Sequence, residues 1–256
     1  MIRCGIAGWI DRELIRSRKF YPPGVSSSEE RPQFYASRFP VVEVDSTYYG
    51  IPARRNCELW IGRTPPGFVF DVKSFSLFTQ HPTSPRALPP EIRAELPAAL
   101  AGRKSLYLEQ LPQAIVDAAW DAFRDALEPL RRARKLGAVF FQFPPWVFPS
   151  TRSLAHIEQC QQRMQGFPVA VEFRRREWLD ERRAAGTLAF LRSLEIPYVA
   201  VDAPQGFPSS MPPVFENSNW ATANARRLEE LIAEAHARGP AGRYDHGAPE
   251  PSEAGG

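Results

Sequence analysis

Cysteine and histidine are scarce in this 256-residue chain, with three of the first and four of the second. Cys4, Cys57 and Cys160 are scattered and odd in number, which argues against a disulfide framework and for reduced thiols. His81, His156, His236 and His246 show no ligand spacing to one another, so a histidine-rich zinc site is not expected. Charge of one sign is lacking too. The formal net charge is +3, from 32 basic and 29 acidic residues, and that balance announces neither a nucleic acid nor a membrane. No apolar run approaches the ~20 residues of a membrane helix. The opening Met1-Ile2-Arg3-Cys4-Gly5 has no charged leader ahead of an apolar stretch. No signal peptide is expected, and the expected location is cytoplasmic.

What is present is an ordinary globular composition, 43% apolar and 24% charged. A chain of this size buries about 73% of its unfolded surface on folding, so a core forms without metal or disulfide staples. The 26 prolines crowd into residues 21–24, 51–52, 64–67, 81–90, 143–149 and 203–214. Each cluster follows a short apolar run, the punctuation of strands that end in elaborate loops. Strands are predicted over 3–8, 41–48, 68–73, 138–143, 169–174 and 198–202. Helical patterns fall at 28–38, 56–63, 114–136, 153–164, 181–194 and 219–238, with Pro129 inside the third long stretch. Strands alternating with helices imply a parallel sheet covered by helices. Residues 1–238 are expected to form one domain and residues 239–256 a disordered polar tail.

The strands also distinguish an open sheet from a closed one. Side chains alternate faces with period two. Val42 and Val44 oppose Glu43 and Asp45; Phe70 and Val72 oppose Asp71 and Lys73; Phe141 and Phe143 oppose Gln142. Val171 and Phe173 oppose Glu172 and Arg174, and Val201 opposes Asp202. Doubly wound sheets bury both faces and read as continuous apolar runs. One apolar face, and one face turning polar at the C-terminal strand ends, is the pattern of a TIM-barrel-like (β/α) barrel.

That polar face supplies the site. Glu43, Lys73, Glu172 and Asp202 are the expected catalytic residues. Trp9, Asp45, Thr47, Tyr49, Gln142, Arg174 and Trp178 are expected to bind substrate. Paired carboxylates divide acid and base roles, as in glycoside hydrolysis. Lys73 forms a Schiff base only if its neighbours depress its pKa, and Lys73 with Arg174 suits a phosphate or carboxylate. The competing structural reading pairs Glu172 with Arg174 and Asp71 with Lys73 as satisfied ion pairs. Trp9, Tyr48, Tyr49, Trp146 and Trp178 all follow strands and either stack on a sugar or base or plug the loops. Gly5-Ile6-Ala7-Gly8-Trp9 lacks dinucleotide-binding spacing, and no cofactor or metal is expected. A carboxylate-only magnesium site from Glu43, Glu172 and Asp202 stays open as the minority reading.

An ordered series of segments carries a resemblance. They are Gly5-Ile6-Ala7-Gly8-Trp9, Phe20-Tyr21-Pro22, residues 42–49, Pro52, Trp60, residues 64–68, Lys73, Lys135-Leu136-Gly137, residues 141–145, and Val171-Glu172-Phe173-Arg174 with Trp178. Together they resemble the YecE-like family, domain of unknown function 72, over roughly residues 2–214. The resemblance implies a TIM-barrel-like fold in a soluble, mostly prokaryotic family without an established activity. It also implies a suggested likeness to barrel endonucleases that act at abasic sites. The chain departs from the family late. A further strand with an Arg-x-His-Gly element is expected after Asp202, but Val214 runs almost directly into Phe215-Glu216-Asn217. The barrel is therefore expected to be one βα unit short.

Three functions follow as expectations. The first is a hydrolase or lyase acting on a small anionic, phosphorylated or sugar-containing substrate at the barrel mouth. The second is a nucleic-acid-binding or repair protein recognising abasic or single-stranded DNA. The third is a degenerate paralogue without catalysis. No membrane partner is expected, and the oligomeric state is left open.

Overall fold

The computed structural model describes residues 2–201 and 210–212. Four parallel strands form the sheet: β1 (Val41–Val44), β2 (Val69–Lys73), β3 (Leu136–Phe143) and β4 (Val169–Phe173), side by side in chain order. Isolated parallel bridges extend it at both edges, Ala7 to Glu43 and Val171 to Tyr198. Parallel neighbours in chain order demand a crossover of the same hand each time, so the crossover helices gather on one face. The bare face must then curl inward, which is the arc of a TIM-barrel-like fold.

The helices are α1 (Arg12–Arg16), α2 (Glu30–Ala36), α3 (Ser46–Tyr49), α4 (Arg54–Gly62), α5 (Pro90–Ala94), α6 (Ala98–Ala101), α7 (Gln113–Arg132), α8 (Thr151–Arg163) and α9 (Ala184–Ser193). Among the described residues no helix is long and apolar enough to cross a membrane. Val42, Val44, Phe70, Val72, Val139, Phe141, Phe143, Val171 and Phe173 are all buried in one cluster with helix side chains. Those partners include Trp120, Phe123 and Leu127 of α7, Ile157 of α8, and Leu188 and Leu191 of α9. Phe78 lies flat on Trp120, with ring centroids 3.6 Å apart. Burying each such side chain contributes about 1.5–3 kcal/mol.

Several boundaries differ from the sequence reading. The strand predicted over 41–48 stops at Val44, and Ser46–Tyr49 turns as a short helix. The helix predicted over 114–136 stops at Arg132. There Arg134 takes a left-handed backbone (φ 55), and Lys135 N–H bonds back to Leu130 O at 3.0 Å. That six-residue closure ends the helix without a glycine. The predicted strand at 3–8 makes only the Ala7 bridge. It is stitched to β1 by Gly8 N–H to Glu43 O (2.9 Å) and Glu43 N–H to Ile6 O (3.2 Å). The Tyr35 hydroxyl, wholly buried, completes the seam by accepting from Ile6 N–H (2.8 Å) and donating to Val41 O (3.0 Å). Gly5 permits this approach, since a Cβ there would meet Val41 O at 2.2 Å.

Between β2 and β3 the register slips. Phe70 pairs with Leu136 and Val72 with Val139, so two residues of β3 face Asp71 alone. The carboxylate of Asp71 fills this bulge and accepts from Ala138 N–H at 3.0 Å. Gly137 leaves the space, because a Cβ there would lie 2.2 Å from Asp71 Oδ1. Lys135, almost fully buried, donates from Nζ to Ile61 O (3.0 Å), Thr64 O (2.7 Å) and Thr64 Oγ1 (2.8 Å). It thereby caps the carbonyl end of α4 with a positive charge. Asp202, the helix at 219–238, the tail at 239–256, the domain boundary at 238 and the shortened seventh unit all lie outside the described residues.

Candidate functional site

The face without helices carries the chemistry. Cross-strand pairing sets Glu43 beside Asp71, Lys73 beside Phe140, and Gln142 beside Glu172. Paired residues on parallel strands point the same way, so these side chains share the inner face. The structure brings Glu43, Asp45, Lys73, Gln142, Glu172 and Arg174 together at the C-terminal strand ends.

Two ion pairs organise the group. Lys73 Nζ lies 3.2 Å from Asp45 Oδ1, a charge contact without an aligned hydrogen bond. The ammonium also sits over the rings of Tyr48 (5.3 Å) and Phe140 (5.9 Å). Glu172, only 5% exposed, forms an ion pair with Arg174 Nε (2.5 Å) and accepts a hydrogen bond from Gln142 Nε2 (2.8 Å). A buried carboxylate needs this satisfaction, and the guanidinium and carboxamide fix its orientation. The expected pairing of Glu172 with Arg174 is found. The expected pairing of Asp71 with Lys73 is not: Asp71 serves the bulge and Lys73 turns to Asp45.

Glu43 is the unusual carboxyl. Burial pushes its pKa up to about 7. The neighbouring Asp45 adds to that by its charge and by a hydrogen bond, Glu172 adds from across the arc, and Lys73 opposes. Like charges close together keep a proton on one of them. Asp71 is raised as well, chiefly by burial.

Three residues expected to bind substrate hold structure instead. Trp9 packs edge-on against Trp60 of α4 (5.7 Å) and Phe70 (6.2 Å), on the helix-covered side of the sheet. Thr47 is fully buried, its hydroxyl within bonding distance of Val44 O (2.9 Å) and Lys73 O (2.6 Å), tying the ends of β1 and β2. Trp178 is buried flat on Phe173 at 4.3 Å and donates from Nε1 to Val147 O at 2.8 Å. A place just after a strand does not say which side of the strand end a ring falls on. Tyr49 does stand at the mouth, 74% exposed and edge-on to Tyr48.

His81 was not expected at the site. It sits between Tyr48 (5.1 Å) and Trp146 (5.4 Å), with Nδ1 2.8 Å from Thr79 Oγ1. Burial first, then Lys73, lower its pKa to about 4. The signal lies in Thr79-Gln80-His81 following β2, but a lone histidine in a loop, without ligand spacing, does not mark a site. Phe140 was also missed, because a phenylalanine among apolar neighbours gives no sign that it faces inward. Among the described residues no three His, Cys, Asp or Glu side chains gather as a metal site. Burial pushes the Cys57 thiol up to about 12 and raises Cys160 further, so neither is a ready nucleophile.

The comparisons agree with this architecture. The family described as "protein of unknown function DUF72" matches residues 3–246. The UPF0759 protein YunF of Bacillus subtilis is 32% identical over 214 residues, which are 84% of this chain and 65% of that protein. Two crystal structures of DUF72 family proteins share the fold. One, from Enterococcus faecalis, aligns with a TM-score of 0.60 at 22% identity over 85% of this chain and 69% of its own. The other, from Thermotoga maritima, aligns at 0.55 and 21% identity over 93% and 88%. Matching ordered motifs, a sheet wound in chain order and a family match across most of its length place this chain in the DUF72 family.

Proposed function

We propose that the mouth of the barrel is an acid–base catalytic site, and that the protein is a hydrolase or lyase acting on a phosphorylated or sugar-containing substrate. One observation carries this: a carboxyl whose proton leaves near neutrality, Glu43, faces a carboxylate held by an ion pair and a hydrogen bond, Glu172. A group poised near the working pH transfers protons best in either direction. Glu43 is the proton donor and acceptor. Glu172 is the base or nucleophile, aimed by Arg174 and Gln142. Lys73 holds Asp45 and moderates the charge beside Glu43. Asp202 keeps its assignment as a further catalytic group on the sequence pattern alone. Two buried thiols and scattered cysteines suit a reducing compartment, and we assign the protein to the cytoplasm.

The test is turnover on a panel of nitrophenyl glycosides and nitrophenyl phosphate esters. Glu43→Gln and Glu172→Gln are each expected to lower kcat/KM by about 10²–10⁴-fold. Both are expected to retain a cooperative melt. Absence of turnover across the panel, or turnover indifferent to both substitutions, overturns the proposal.

A further inference from the structure

Beyond the carboxylates, three successive strand ends deliver aromatic rings to one row. Tyr48 and Tyr49 follow β1, His81 follows β2 and Trp146 follows β3. Neighbouring centroids lie 5.0 Å (Tyr49 to Tyr48), 5.1 Å (Tyr48 to His81) and 5.4 Å (His81 to Trp146) apart, each pair edge to face. Trp146 is 53% exposed, and with Tyr49 it leaves large apolar faces in water. The row is held in place. The Trp146 indole N–H donates to Gln80 O at 3.2 Å, and Gln80 carries a left-handed backbone, φ 62. A non-glycine residue pays for that conformation, and such strain collects where a group must be aimed.

The Thr79 hydroxyl lies within bonding distance of both Ser76 O (3.2 Å) and His81 Nδ1 (2.8 Å). When the hydroxyl donates to Ser76 O, it accepts from Nδ1–H, and Nε2 is then the acceptor of the neutral ring. Burial and Lys73 keep the ring neutral at physiological pH, so one ring nitrogen stays an acceptor.

Charge selects between the substrates named above. The two cations at the catalytic group are matched, Lys73 with Asp45 and Arg174 with Glu172. Glu43 and Asp71 add acid to the same face. No surplus positive charge among these groups waits for a phosphate. We infer that the row is a subsite for a neutral, hydroxyl-rich ring, a sugar unit without phosphate, seated against Trp146 with one hydroxyl donating to His81 Nε2. The carbon-bound hydrogens of a sugar face pack on an aromatic ring, and its hydroxyls reach polar atoms at the edge. What is done to the sugar rests on the acid–base reading, whereas its binding does not.

The experiment measures binding of methyl glycosides of common hexoses and pentoses by saturation-transfer NMR and calorimetry. The matching sugar phosphates and inorganic phosphate serve as paired probes. A methyl glycoside is expected to bind wild type more tightly than its phosphate counterpart. Trp146→Ala is expected to weaken it about tenfold with an unchanged Tm, since the side chain is half exposed. His81→Phe keeps a ring and removes the acceptor, so it should weaken the parent glycoside but not one deoxy analogue. Tighter binding of the phosphates, no glycoside binding, or binding indifferent to Trp146→Ala overturns the subsite. Glu43→Gln separates the two proposals. Glycoside binding kept by wild type and Glu43→Gln but weakened in Trp146→Ala, with no turnover by wild type, sinks the acid–base reading and supports the subsite. Turnover lost in Glu43→Gln, on a substrate that ignores Trp146, supports the chemistry and sinks the subsite.

Discussion

At Glu43, burial and the acidic neighbours Asp45 and Glu172 all hold a proton in place, and only Lys73 opposes them. The folded pKa therefore stands above the unfolded one. Between about pH 4.5 and pH 7 the unfolded chain has released this proton while the folded chain keeps it, so stability falls as pH rises through that window. His81 has its pKa lowered, and it acts in the opposite sense. The unfolded chain takes up the proton first, so stability falls as pH drops from about 6.5 toward 4. Removing the Glu43 charge isolates its share. Glu43→Gln is expected to be more stable than wild type in urea at pH 8, with the gap closing toward pH 5; a constant gap would exclude the assignment. Residue alternation made Glu43, Lys73, Gln142 and Glu172 legible, because period two assigns faces without knowledge of the loops. It could not place Trp9, Thr47 or Trp178, whose direction depends on how the chain turns after the strand. It also passed over His81, whose meaning comes from Thr79 and Trp146 rather than from any spacing.

Helix ends show the same divide between pattern and context. The core stripe of α7 was readable from Trp120, Phe123, Leu127 and Leu130, but its stop was not. Arg134 and Glu195 both follow helices in left-handed conformations (φ 55 and 56), where a sequence reader looks for glycine. Lys135 N–H to Leu130 O and Ile196 N–H to Leu191 O close the two turns. Each exposed side chain carries conformational strain there. Glu195→Gly is therefore expected to stabilise the fold by about 0.5–1 kcal/mol, read as a higher urea midpoint with an unchanged slope. A lower midpoint would mean that Glu195 makes contacts outweighing its strain. Pro129 belongs to this scale as well. It has no N–H for the Asp125 carbonyl, and Arg54 of α4 supplies one instead at 3.3 Å, while pairing with the Asp125 carboxylate at 2.7 Å. A proline that reads as a helix breaker thus becomes the point where α7 is fastened to its neighbour.

Across the whole molecule, the sheet runs in chain order from the segment at residues 6–8, through β1 to β4, to Tyr198. The first of these has few backbone bonds of its own and leans on Tyr35. Tyr35→Phe removes the hydroxyl and leaves Ile6 N–H without its partner, at a cost of about 1–3 kcal/mol. Hydrogen exchange at the Gly8 and Glu43 amides is expected to accelerate while β3 stays protected; uniform acceleration would mean that the edge does not open alone. The alternation of apolar and polar strand positions made the inner and outer layers of the arc readable. The bulge at Asp71 was not readable, because it depends on Gly137 meeting a carboxylate from another strand. The order of the strands also has a temporal side. Each strand leaves the ribosome after the neighbour it will pair with, so no strand has to wait for a partner made later. Asp45 and Lys73 are both synthesised before β3 and β4. Glu172 comes off last, with its own counter-charge, Arg174, two residues behind it.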